Sequence, residues 1–254
     1  EQDVTLDVDV LPSVPTAIDV NSHHLCAVLA NGDVACWGDN TFGQLGNGTT
    51  DDSQEAVLHS GLEATHVTAG KRHTCASLTT GEVACWGDNQ SGQFVHSNVL
   101  ESLTPLIDDL PDWPPGKASW ADQVEAGDDY SCVITTNGTM LCDGLNDFDQ
   151  CGNLPDKGIV TMEAGSVSGV SLHEDFTCAG THSGNVMCWG RNDAGQLGGA
   201  DGASPVSVPT LVPDVGQVKD VHVGQTHACT LQSNGKVTCW GGAQAGQTGV
   251  GIGD

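Results

Sequence analysis

The sequence predicts an all-β fold, a β-propeller of about five four-stranded blades with one cross-strand disulfide in each. Three observations predict it. One segment recurs five times: Cys26 to Cys36-Trp37-Gly38 with Gln44, Cys75 to Cys85-Trp86-Gly87 with Gln93, Cys132 to Cys142-Asp143-Gly144 with Gln150, Cys178 to Cys188-Trp189-Gly190 with Gln196, and Cys229 to Cys239-Trp240-Gly241 with Gln247. In every copy the cysteines lie ten residues apart, with Gly two residues and Gln eight residues after the second. The first cysteines follow one another at 49, 57, 46 and 51 residues, the length of a propeller blade. Midway between each pair a turn ends in glycine (Gly32, Gly81, Gly138, Gly184, Gly235), between flanks that alternate apolar and polar residues. That alternation around a turn is the pattern of a β-hairpin. Residues 1–254 therefore read as one propeller domain.

The hairpin fixes the register. A three-residue loop, Ala30-Asn31-Gly32, puts Gly32 in the left-handed conformation and pairs Leu29 with Asp33. Counting outward, Cys26 faces Cys36. Directly opposed residues have Cα atoms about 4.5–5.5 Å apart, within disulfide reach. Each closed loop is short, so each bridge stabilises by at most ~3 kcal/mol. Zinc is a poor alternative, because the chain contains no Cys-x-x-Cys pair.

Along the chain, Val4, Leu6, Val8 and Val10 alternate with polar residues in a strand pattern. Val4 to Val20 matches the two-strand stretch Val208 to Val221 ahead of the last cysteine pair. The N-terminal strand is therefore expected to complete the last blade and close the ring, hiding both sheet edges. Blade one keeps the pattern, and its connector, Asn47 to Ser60, is polar. After blade two, Val95 to Asp122 is a longer connector with Asp112-Trp113-Pro114-Pro115 and Trp120, two tryptophans outside the repeat. Blade three diverges, with Asp143 at the tryptophan position. Blade four has His173 where three blades have Gly five residues before the first cysteine (Gly70, Gly127, Gly224), and blade five has Ala243 where the others have Asn. Those glycines, with Asn21 in blade one, read as turn positions of positive φ.

Composition narrows the function. Asp and Glu number 33 against 7 Lys and Arg, a net charge of -26. Such a chain neutralises no phosphates, which excludes a nucleic-acid partner and disfavours an anionic membrane surface. No apolar run is long enough to span a bilayer. Ten cysteines in five like pairs imply an oxidising compartment. The expected localisation is secreted or extracellular, the cell surface included, for a chain whose signal peptide has been removed. The sequons at Asn47, Asn89 and Asn137 bear on this only in a eukaryotic secretory route.

The stretch His-Thr-Cys-Ala-x-Leu, then Gly-x-Val, then Cys-Trp-Gly-x-Asn-x-x-Gly-Gln-Leu-Gly resembles the repeat of the regulator of chromosome condensation family over essentially the whole chain. The resemblance implies a β-propeller of four-stranded blades. Family members are best known with seven, so five repeats are either a smaller ring or part of a larger one. The nuclear namesake is an exchange factor for a small GTPase and binds chromatin, a role that the acidity and paired cysteines here argue against. A nearer parallel is the family's secreted, cysteine-paired bacterial propellers, which include a β-lactamase inhibitory protein.

Several side chains invite a chemical role and yield a structural one. His24, His73 and His227 share their position with Tyr130 and Phe176, so ring packing or one backbone hydrogen bond accounts for them better than catalysis. The repeat glutamines are expected to bond backbone in neighbouring loops, and Trp37, Trp86, Trp189 and Trp240 to pack. Cys151, the odd cysteine, occupies the position of Leu45, Phe94 and Leu197 and reads as a buried thiol in preference to an intermolecular bridge or a nucleophile. Asp143, Asn146, Asp147 and Asp149 offer oxygen ligands without the spacing of a calcium loop. No hydrolase, zinc-protease or phosphate-loop motif occurs. The reading is a protein with no catalytic residues, metal or cofactor, that recognises another extracellular protein in an adhesive or inhibitory role. Its binding residues would be Trp113, Trp120 and Asp112, because rigid aromatic side chains dominate interfaces. The rival reading is a structural subunit of an extracellular assembly that associates with itself; an enzyme at the propeller mouth ranks third.

The bridges are directly testable. Non-reducing peptide mapping should return five ten-residue pairs, Cys26–Cys36, Cys75–Cys85, Cys132–Cys142, Cys178–Cys188 and Cys229–Cys239, with Cys151 alkylated only after unfolding. A major species linked between blades would overturn the cross-strand reading.

Overall fold

The computed structural model describes residues 11–21, 23–95, 97–108, 120–152, 159–160, 167–199 and 204–249. Among the described residues, nineteen strands form five antiparallel sheets, one for each repeat. Blade one holds β1 (Pro15–Asn21), β2 (His24–Leu29), β3 (Val34–Gly38) and β4 (Ser53–His59). Blade two holds β5 (Ala64–Ala69), β6 (His73–Leu78), β7 (Val83–Asp88) and β8 (Glu101–Asp108). Blade three has β9 (Ala121–Ala126), β10 (Tyr130–Thr135), β11 (Met140–Gly144) and the short β12 (Ile159–Val160). Blade four has β13 (Val167–His173), β14 (Phe176–Thr181), β15 (Val186–Gly190) and β16 (Val206–Leu211). Among the described residues blade five has three strands, β17 (Val218–Val223), β18 (His227–Gln232) and β19 (Val237–Gly241). The expected closing strand at residues 4–10 lies outside the described residues.

The hairpin register is the one the spacing predicts. Cys26 faces Cys36 and Val28 faces Val34, Gly32 has φ 84°, and the Leu29 N–H donates to Asp33 O at 2.8 Å. The other four hairpins repeat the pairing of cysteines. Their Cα atoms are 4.1–4.2 Å apart, and all five disulfides are formed.

The first strands of successive blades, β1, β5, β9, β13 and β17, pack one against the next and line a common central cavity. Alternation along β2 and its counterparts sends the cysteines forward, toward the following blade, and their neighbours backward. The apolar core is consequently split among the joints. One cluster sets Cys26, Val28 and Cys36 of blade one against Val67, Ala84 and Trp86 of blade two. The clusters between blades two and three, three and four, and four and five repeat the scheme. Among the described residues no blade has a core of its own, which makes the fold a one-dimensional stack bent into an arc.

Three polar contacts recur at these joints. The tryptophan after the second cysteine donates its indole N–H to the glutamine carbonyl of the preceding blade: Trp86 to Gln44 and Trp189 to Gln150 at 2.8 Å, Trp240 to Gln196 at 2.9 Å. The ring two residues before the first cysteine meets a hydroxyl on the next blade, His24 with Thr74 at 2.9 Å, His73 with Ser131 at 2.8 Å and Tyr130 with Thr177 at 3.0 Å. Where that ring is Phe176, the next blade has Ala228 in place of the hydroxyl. Third, the turn glycine carbonyl accepts an N–H from the start of the next inner strand, as in Ala64 to Gly32 and Ala121 to Gly81, both at 2.8 Å.

Two expectations change. Gly70, Gly127 and Gly224 are absent from the positive-φ set. What they supply is room: a Cβ there would stand 2.2–2.4 Å from the ring of His73, Tyr130 or His227. The repeat glutamines bond chiefly their own loops, with Gln44 Oε1 accepting from the Phe42 N–H and Gln93, Gln150, Gln196 and Gln247 doing likewise.

The rings of His24 and His73 are buried. Thr74 donates its hydroxyl proton to Gln44 O, so His24 must donate through Nε2, leaving Nδ1 without a partner. Burial lowers the pKa of His24 from 6.5 to about 4 and that of His73 to about 3. The unfolded chain therefore takes up these protons first. Stability should be level in this respect above pH 6.5 and fall below it, by up to ~1.4 kcal/mol per pH unit per histidine, until the folded values are reached. Thermal melts from pH 7.5 to 4.5 should show a shallower loss for His24→Gln and His73→Gln than for the parent chain. Equal slopes would show that these rings are not the acid-sensitive groups.

Candidate functional site

The hairpin turns all lie at one end of the blades, and the turn-to-strand bonds draw each turn against the start of the next inner strand. Between them run shallow grooves. The groove between blades one and two, about 490 Å³, is lined by Thr16, Ala30, Gly32, Glu63 and Thr79. The next, about 290 Å³, holds Leu78, Gly81, Trp120, Asp122 and Thr136. The third, about 370 Å³, holds Asp122, Asn137, Gly138 and His182.

Trp120 stands at the centre of this row, immediately before β9. Its carbonyl accepts the Thr136 N–H at 2.9 Å, and the next residue, Ala121, donates to Gly81 O at 2.8 Å. The ring lies over the Gly81 turn of blade two. A Cβ on Gly81 would come within 2.3 Å of Trp120 Cε3, and Gly81 has φ +84°, so glycine is required there twice over. The residue remains 50% exposed. Trp120 thus does two things: it pins the connector to blade two, and it presents an aromatic surface to solvent. Asp122 is exposed beside it and Glu63 on the neighbouring groove, and the two give this end of the blades an acidic rim. Trp113 and Asp112 lie outside the described residues.

The central cavity, about 540 Å³, is lined by all five inner strands. Polar side chains recur on these strands seven residues before each first cysteine, at Asp19, Thr68, Glu125, Ser171 and His222, and His66, Gln123 and Asp220, nine residues before theirs, also line the cavity. Asp19, Thr68, Glu125 and Ser171 fasten blades together, whereas His222 meets Asp220 of its own strand at 3.1 Å. Asp19 accepts from Thr68 Oγ1 at 2.9 Å and from the Ala69 N–H at 2.8 Å. Thr68 accepts from the Ala126 N–H at 2.9 Å, and Ser171 from the Val223 N–H at 3.1 Å. Glu125 turns back to His66 at 3.1 Å; burial would lower the His66 pKa, but the hydrogen bond and charge of Glu125 raise it. These positions were not singled out from the sequence, although their constant spacing from the cysteine is visible in it.

Cys151 is buried, its thiol pointing at Leu145 O at 3.6 Å. Burial, helped by the charge of Asp143, raises its pKa far above the ordinary thiol value, the opposite of what activates a nucleophile. The oxygens read as calcium-like are engaged: Asn146 accepts the Cys151 N–H at 2.8 Å and Asp149 the Ser207 hydroxyl at 2.7 Å. Among the described residues, no three His, Cys, Asp or Glu side chains gather as a metal would require.

Two models of the regulator of chromosome condensation (RCC1) repeat match the chain, one at residues 16–44, 64–93 and 121–150, the other at 31–77 and 183–231. Together they span more than half of it, and the chain belongs to this repeat family. A segment of 51 residues is 43% identical to the human E3 ubiquitin-protein ligase HERC2, covering 20% of this chain and 1% of that protein. Among solved structures, human WBSCR16 superposes with a TM-score of 0.78 at 20% identity, over 91% of this chain and 62% of its own. Prp20p from Saccharomyces cerevisiae, described together with its binding to Gsp1p and histones, gives 0.78 at 20% identity, over 93% and 60%. At these identities the likeness shows the fold. The chain spans about 60% of the length of these two proteins.

Proposed function

We propose that this protein is an extracellular, non-catalytic protein-recognition module that binds through the turn end of its blades, centred on Trp120. The observation that carries the proposal is the exposed indole held in a fixed seat. Of the four repeat tryptophans, Trp86 and Trp189 are fully buried and Trp37 and Trp240 partly so. Trp120 belongs to no repeat position and is half exposed, yet the Gly81 turn and two backbone bonds hold its backbone and ring in place. A pre-positioned aromatic buries a large area with little loss of freedom on binding. Glu63 and Asp122 at the rim, and a chain charge of -26, favour a partner with a basic contact surface. Trp113 and Asp112, on the same connector, would extend this surface. Five disulfides suit an oxidising compartment outside the cytosol. The family's known protein partners belong to those relatives and set no partner here.

The test is a substitution read two ways. Once a partner has been captured by cross-linking and identified, Trp120→Ala should weaken binding by about 30-fold, ~2 kcal/mol, with a small change in melting temperature. Should the variant lose stability while binding per folded molecule stays intact, Trp120 serves only to anchor the connector and the surface lies elsewhere.

A further inference from the structure

The joint contacts give each blade two unlike sides. The forward side offers acceptors and a ring: the turn glycine carbonyl, the loop glutamine carbonyl and the residue two before the first cysteine. The backward side offers the matching donors: the first inner-strand N–H, a Ser or Thr hydroxyl just before the first cysteine, and the indole after the second. In blades one to four the forward side is covered. Val34, Val83, Met140 and Val186, two residues before the second cysteine, are at most 4% exposed.

Blade five breaks this pattern. Its equivalent residue, Val237, is 60% exposed, and Leu231, the counterpart of the buried Val28 and Ile134, is 36% exposed. The Cys229–Cys239 bridge is half-buried, where the other eight bridging cysteines are at most 3% exposed. The acceptors are nevertheless all in place. The Gly235 and Gln247 carbonyls and the His227 ring have no hydrogen-bond partner among the described residues.

Blade one does not match this side. The residue that should donate an N–H to Gly235 is Pro15, which has none. The residue that should offer a hydroxyl to His227 is Leu25. Only Trp37 retains its donor. Blade two, by contrast, has the full set in Ala64, Thr74 and Trp86, and uses it against blade one. The forward side of blade five is therefore built for a neighbour, and neither this chain's own blade one nor that of a second copy supplies one that fits.

We propose that the forward side of blade five is a docking surface for a further blade of this same repeat type, one that carries an inner-strand N–H, a Ser or Thr before its first cysteine and a tryptophan after its second. The apolar strip of Leu231, Val237 and the bridge supplies buried area. The three acceptors select the register. A phenylalanine at position 227 would call for no hydroxyl, as Phe176 opposite Ala228 shows, so His227 specifies a hydroxyl-bearing residue on the incoming blade.

The test extends the chain at its C-terminus with a second copy of residues 61–108, which carry that donor set. Amide exchange of β18 and β19, and native-state reduction of Cys229–Cys239, should slow by about tenfold or more as the face is covered. The same extension carrying Thr74→Leu and Trp86→Ala in the appended copy should protect much less. Equal protection by both extensions, or no protection by either, overturns the proposal. An independent reading uses the unextended chain. Val237→Lys should leave it monomeric in sedimentation equilibrium, with a melting temperature shifted by no more than about 2 °C, as suits an exposed position. A large loss of stability, or a parent chain that self-associates through this face, would mean that blade one or a second copy already fills it, and the proposal fails.

Discussion

In blades one, three and four one backbone carbonyl, that of the loop glutamine, is where the next blade is fastened. Gln44 O receives both the Thr74 hydroxyl and the Trp86 indole, and Gln150 O receives Thr177 and Trp189, so both lone pairs are used. These groups are buried, and a buried donor left without a partner costs about 1–3 kcal/mol. The carbonyl must therefore point the same way every time. The repeat motif does this. The asparagine side chains of Asn40, Asn89, Asn146 and Asn192 accept the N–H that follows the glutamine, and the glutamine side chain ties the turn ahead of it. Trp-Gly-x-Asn-x-x-Gly-Gln is thus a device for aiming one oxygen.

Where the device is lost, another interaction takes its place. Blade three has Asp143 in place of the tryptophan, so Gln93 O receives no indole, and the core between blades two and three contains no tryptophan. At that joint Arg72 reaches Asp88 of its own blade at 3.2 Å and Asp129 of the next at 2.9 Å. Lys71 pairs with Asp128 at 3.4 Å beside it. Arg72 also lies over the Phe42 ring of blade one, 5.1 Å from its centre. Of seven cationic side chains in a very acidic chain, two are spent here. Partly exposed ion pairs thus stand at this joint where the others have a packed indole.

The hairpins, their register and the five bridges could be read from the sequence because they depend on residues ten apart, where a turn fixes the geometry. The role of Trp86 and its counterparts as packing residues followed from their repetition. The joints could not be read in the same way. They link residues about fifty positions apart, and pairing them requires knowing which side of each sheet faces forward. Without that, Gly70 and Gly127 look like turn glycines, when in fact they make space for a ring. The departure at Trp120 was visible as a tryptophan outside the repeat, but its seat on Gly81 was not, since nothing near Trp120 in the chain points to a turn of the previous blade.

The split of the core among the joints also bears on how such a chain can change by duplication and exchange. Phe176 and Ala228 are partners, as are His24 and Thr74, and each pair straddles two repeats. Copying or swapping one whole blade separates both of its pairs and leaves a ring facing the wrong neighbour. A segment running from the ring residue of one repeat to the indole of the next keeps a pair together. His24 and Thr74 lie fifty residues apart, as far as one repeat follows another, so no segment of one repeat's length holds a complete pair, and exchange preserves the joints only where the new neighbour carries the matching residue.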